Sequence, residues 1–179
     1  MPKVITAKRL ESEVEKAQDY VRTHIVFPSS ILGLAGMLVG LIGLLAQLIS
    51  GSYGIETFAY SSALLVMGIV VGWAQTRYHQ FLLRTFPAYF ASRMKTATQR
   101  SLHKAKKIPD VTIEHRGKAL IPLWYLLGIT LFLGASIWSV STEALAVVPG
   151  FALPWAGFFW AKMFFWKGIV LPPSKKDKK

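Results

Sequence analysis

An all-α integral membrane protein is the fold class this sequence predicts, with four transmembrane helices arranged as two antiparallel hairpins. Three observations predict it. Of the 179 residues 53% are apolar and only 17% charged, and the mean hydropathy is +0.40. Asp, Glu, Lys and Arg are absent from four stretches, residues 23–55, 57–76, 119–142 and 144–161. A helix rises about 1.5 Å per residue, so roughly 20 residues cross the hydrocarbon core. Finally, the formal net charge of +12 sits between and outside those stretches rather than being spread along the chain. So apolar a chain is not a disordered basic protein. With no cysteine it has no disulfide, thiolate metal site or cysteine nucleophile.

Residues 1–29 are expected to form a cytoplasmic amphipathic helix. Leu10, Val14, Ala17, Val21 and Ile25 recur at helical spacing with Glu, Lys and Gln between them. That pattern predicts a helix over residues 7–25, ended by Pro28. It either lies on the inner membrane surface or packs on the ends of the bundle.

Residues 30–77 form the first hairpin, with spans near 31–50 and 57–77. Gly33, Gly36, Gly40 and Gly43 repeat on one face of the first span, and Gln47 extends the stripe. Gly68 and Gly72 make a G-x-x-x-G on the second. Glycine faces let helices approach closely and gain van der Waals contact that lipid does not supply. The short connector between the spans suggests that these two faces meet each other; self-association through the first face is the alternative.

Residues 78–118 read as a basic cytoplasmic segment, with a helix continuing from the second span and bent at Pro87. Its charges, counted from the membrane edge, include Arg77, Arg84, Arg93, Lys95, Arg100, Lys104, Lys106 and Lys107. Such a surface suits anionic phospholipid head groups or an acidic partner. The bland reading is charge that only sets orientation. No aromatic RNA-binding motif accompanies the cluster, so nucleic acid is not an expected partner.

The second hairpin covers residues 119–167, with spans near 120–140 and 144–166. Pro149, Gly150 and Pro154 invite a kink in the last span. A re-entrant segment is the alternative there. Trp155, Phe158, Phe159 and Trp160 crowd this span beyond what an interfacial belt needs. They suit a face against a partner subunit, a quinone or pigment, or lipid. Residues 168–179 form a basic tail.

All 21 basic residues lie outside the connectors 51–56 and 141–143. The positive-inside rule therefore predicts both termini and the middle segment in the cytoplasm, with a bacterial plasma membrane as the expected location. No ionisable group occupies the middle of a span, which weakens a proton-coupled transport reading. His24, His79, His103 and His115 follow no ligand pattern, and no catalytic motif is present. No cofactor or metal is expected.

The expectation for function is a non-catalytic subunit or assembly factor of a larger membrane complex, partnered by other membrane subunits or by itself. A homo-oligomeric channel or carrier with the first helix near the symmetry axis is the alternative. A lipid-acting enzyme with His79 and His115 as bases is the second.

Overall fold

The computed structural model describes residues 13–101 and 118–170. Of these described residues 92% are helical and none is in a strand. The chain runs through α1 (Glu13–Ile49), α2 (Ile55–Thr85), α3 (Pro87–Ser101), a single 3₁₀ turn, α4 (Ile121–Ser141) and α5 (Val147–Val170). Three of them, α1, α2 and α4, are long and apolar enough to cross a membrane.

Pro28 does not end the first helix. Proline cannot donate to the carbonyl four residues back, and its ring crowds that carbonyl. The chain absorbs both problems by widening into a π segment over Arg22–Val26, where Phe27 N–H donates to the Arg22 carbonyl. The helix then continues to Ile49. A π segment of this kind is a known way for a helix to bend without stopping. The amphipathic segment is therefore collinear with the first apolar stretch. Its apolar side packs on the bundle: Ala17 and Val21 are buried with Leu82, Leu83, Phe90 and Trp166. At the other proline, Phe86 leaves helical geometry (φ −132°, ψ 61°) and α2 stops at Thr85. A residue before proline is pushed out of the α region, so α3 begins as a new helix at Pro87.

The two glycine faces do not meet each other. Helix α5 lies between them, packing extensively on α1 and α2, while the glycine-bearing part of α1, Phe27–Ile49, barely touches α2. A Cβ placed on Gly33 would lie 3.2 Å from the Trp160 backbone nitrogen, and one on Gly36 3.3 Å from Ala156. On Gly40 it would lie 2.8 Å from Leu153, and on Gly43 2.6 Å from the Pro149 ring. Ascending numbers on α1 meet descending numbers on α5, so these helices are antiparallel. On the opposite side, Gly68 sits against the Pro154 carbonyl, Gly72 against the Phe158 carbonyl, and Gly157 against the Leu65 carbonyl. Here the numbers ascend together, so α2 and α5 are parallel.

Adjacency of α1 and α2 was expected from their short connector, but five residues, Ser50–Gly54, reach about 16–18 Å when extended. Glycine contacts bring axes closer than the usual 8–10 Å. The connector can therefore pass over the start of a thin intervening helix.

Both tight turns place a left-handed residue just past the end of their helix. After α1, Gly51 adopts φ 74°. Gly51 N–H donates to the Leu48 carbonyl (3.2 Å) and Ser52 N–H to the Gln47 carbonyl (3.0 Å), a Schellman arrangement. After α4 the left-handed position falls on Glu143, φ 58°, with Glu143 N–H donating to the Val140 carbonyl (3.0 Å). We refer to this as the turn end of the bundle. The opposite end, which carries the arginines and lysines, is the basic end.

Candidate functional site

Of the long apolar helices α1, α2, α4 and α5, α4 is the least engaged. It touches α5 and, more lightly, α2. Its buried residues are Phe132, Ser136 and Ser139, with Phe132 edge-on against Trp155 (5.2 Å) and Phe158 (5.8 Å). Towards the basic end α4 stands away from α2, and the space between them is a groove of about 700 Å³. Val70, Val71 and Ala74 of α2 form one wall, Trp124, Gly128 and Leu131 of α4 the other, and Trp155 and Phe158 line it from α5. This volume falls within the roughly 300–1,000 Å³ of small-molecule sites.

The lining is apolar except where Gln75, Tyr78 and Tyr125 enter. The Tyr125 hydroxyl lies 3.3 Å from His79 Nε2. The Gln75 Oε1 atom is buried with no hydrogen-bond partner, as is His79 Nδ1. A buried acceptor left unpaired costs about 1–3 kcal/mol. Lys162 lies at the same depth. Gly72 meets both Phe158 and Ala161, so one turn further along these parallel helices brings Gln75 level with Lys162. The Lys162 ammonium sits 4.1 Å over the Phe158 ring and 5.7 Å from that of Phe159. Among the described residues no carboxylate pairs with it. One turn beyond, Gln80 Nε2 donates to the Phe165 carbonyl (2.8 Å), tying α2 to α5 by a side chain that is itself buried.

The residues singled out from the sequence distribute as follows. Gly33, Gly36, Gly40, Gly43, Gly68 and Gly72 all lie against α5. Gln47 is buried near the turn end, its Oε1 without a partner. The four aromatics do not share one face. Trp155 and Phe158 abut Phe132 of α4, the backbone and Cβ of Phe159 approach Gly33 of α1, and Trp160 is exposed and edge-on to Phe164. Arg77, Arg84, Arg93 and Lys95 are exposed at the basic end. The Arg77 guanidinium lies 5.7 Å from the Trp73 ring centroid, and that of Arg93 lies 4.7 Å from that of Tyr89. The Arg100 side chain and Lys104, Lys106 and Lys107 lie outside the described residues, as do His103 and His115. His24 stacks on Tyr20 (4.7 Å), not on His79. Among the described residues no three His, Asp or Glu side chains converge.

Gln75, Tyr125 and Gln80 carried no signal in the sequence. A lone amide or phenol near the end of an apolar stretch looks like any interfacial residue until the neighbouring helix is placed beside it. Comparison with protein families, curated sequences and solved structures gives no match.

Proposed function

We propose that the chain is a non-catalytic subunit or assembly factor of a larger membrane complex. It crosses the bilayer four times, α5 included, with both termini and the basic end in the cytoplasm. The observation that supports this best is the state of α4. The glycine faces of α1 and α2 are filled by α5, whereas Gly134 of α4 has nothing within 4 Å of a Cβ position. One turn away Trp138 is 66% exposed. A small residue flanked by a large aromatic on the exposed side of a helix suits close packing by another transmembrane helix. Arg77, Arg84, Arg93 and Lys95 then face anionic phospholipid head groups at the cytoplasmic surface.

Extraction in mild detergent followed by native mass measurement tests this. The expected result is a complex with other chains that is lost in Gly134→Leu and Trp138→Ala, while each variant keeps the stability of the parent. Recovery of the parent as a lone monomer overturns it. The topology has its own test, made simple by the absence of cysteine. Ser52→Cys and Thr142→Cys should react with an impermeant maleimide in intact cells, and Ser12→Cys and Ser174→Cys should not. A channel with the α1 glycine face on a symmetry axis is not adopted, because that face is occupied by α5.

A further inference from the structure

We propose that the groove between α2 and α4 is a binding site for one anionic lipid, with an acyl chain along the apolar walls and its phosphate on Lys162. Charge complementarity selects this occupant. Lys162 is a half-buried cation held over the rings of Phe158, which lines the groove, and Phe159, and without a carboxylate among the described residues. A charge withdrawn in part from water gains from a paired, hydrogen-bonded counter-ion. A ring face meets part of that need; an anion meets the rest.

The polar atoms of the groove specify the head group further. Gln75 Oε1 is a buried acceptor with no donor, and it lines the same groove as the Tyr125 hydroxyl. An anion alone would leave the amide oxygen unpaired. A phosphate that also carries hydroxyl groups, as in a glycerol head group, supplies an acceptor for the ammonium and a donor for the amide. The apolar wall formed by Val70, Val71, Gly128 and Leu131 gives the chain a bed. At Gly128 a Cβ would already make ordinary contact with Val71, at 3.5 Å, so a larger side chain there would fill the bed at that point. This site differs from the exposed arginines at the basic end, which meet head groups from outside the bundle. It rests on the proposed crossing of α5.

Two groove-lining tryptophans, Trp124 and Trp155, provide the readout. The full chain, purified in detergent micelles, is titrated with lipids brominated on the acyl chain. The site signal is the part of the fluorescence quenching that disappears in Trp124→Phe and Trp155→Phe. Brominated phosphatidylglycerol is expected to quench this part at about tenfold lower mole fraction than brominated phosphatidylcholine, the value of one charge-assisted hydrogen bond. Brominated phosphatidic acid and brominated stearic acid separate the hydroxyl-bearing head from a bare phosphate and from a free carboxylate. The proposal expects both to bind more weakly than phosphatidylglycerol.

Lys162→Gln should abolish the preference for the anion, Lys162→Arg should retain it, and Gly128→Leu should reduce quenching by every lipid. Circular dichroism confirms that each variant is helical. Equal quenching by the anionic and zwitterionic lipids overturns the proposal, as does a preference that survives Lys162→Gln. Tryptophans shielded from all four lipids, because another helix covers the groove, overturn it as well. If maleimide labelling places residues 52 and 142 on one side while the preference is absent, the lipid site fails and the four-span topology stands. If labelling fails, the topology falls first.

Discussion

Helices α5 and α4 are joined by one tight turn and are both strongly apolar, yet they sit in the bundle in opposite ways. Helix α5 is held on two sides at backbone-to-backbone distance. Gly68, Gly72 and Gly157 leave no room for even a methyl group, and the atoms they approach are main-chain carbonyls. Helix α4 offers Gly128 and Gly134, which meet ordinary contact and open space respectively. The same residue type therefore has two meanings within one hairpin. On α5 and its neighbours glycine is a fit; on α4 it leaves ordinary contact or open space. Lipid tails are as apolar as leucine, so hydrophobicity does not separate the two cases. Only shape does.

A series of glycine-to-alanine substitutions sharpens that contrast. Gly68→Ala should have the largest effect, because the new methyl group falls on the Pro154 carbonyl and neither backbone can retreat without moving a helix. A loss of about 3 kcal/mol or more in thermal or denaturant unfolding in micelles is expected. Gly43→Ala meets the rigid Pro149 ring and should cost about 2 kcal/mol. Gly40→Ala meets the movable end of Leu153, so its cost should stay near 1 kcal/mol and be relieved in the double variant with Leu153→Ala. Gly134→Ala should change stability by less than about 0.5 kcal/mol. Equal losses at Gly68 and Gly134 would erase the distinction between the two helices.

The hydrogen bond between Gln80 and Phe165 belongs to the tight region, and its contribution is smaller than the packing. Gln80→Met keeps the bulk and removes the donor. The expected loss is about 0.6 kcal/mol, the average for interhelical hydrogen bonds in membranes, with no change in partner association. The smallest effect compares the two turns. Gly51 adopts the left-handed geometry freely, whereas Glu143 holds it against its own Cβ. Glu143→Gly should therefore raise stability, by no more than about 1 kcal/mol, and Gly51→Ala should lower it by a similar amount.

Much of the architecture is legible in the residues. The uncharged stretches mark where apolar helices lie, because length and hydropathy act locally. The small-residue faces are legible too, since glycine at helical spacing has few other uses. Their partners are not. The stripe Gly33, Gly36, Gly40 and Gly43 announces that some backbone comes close, without saying whose, and chain proximity pointed to α2 instead of α5. Pro28 is a second instance. Its missing N–H is certain from the sequence, but stopping the helix or widening it to a π segment depends on whether the helix has somewhere to continue. Here Val21 and Ala17 pack against Trp166 and Phe90, and that burial holds the helix together across the defect. The groove was invisible for the same reason: Gln75, Tyr125 and Trp155 lie on three different helices.

By itself the sequence determined a helical, strongly apolar chain, the positions of its long apolar helices, and the segregation of its basic residues from them. These follow from hydropathy and backbone hydrogen bonding, which are properties of each segment alone. The tertiary structure decided that the last helix is the centre of the bundle, that each glycine face closes on it, and that an unpaired amide and two tryptophans line one groove. Those outcomes depend on the fit of particular backbones across a few ångströms, and no segment carries that information separately.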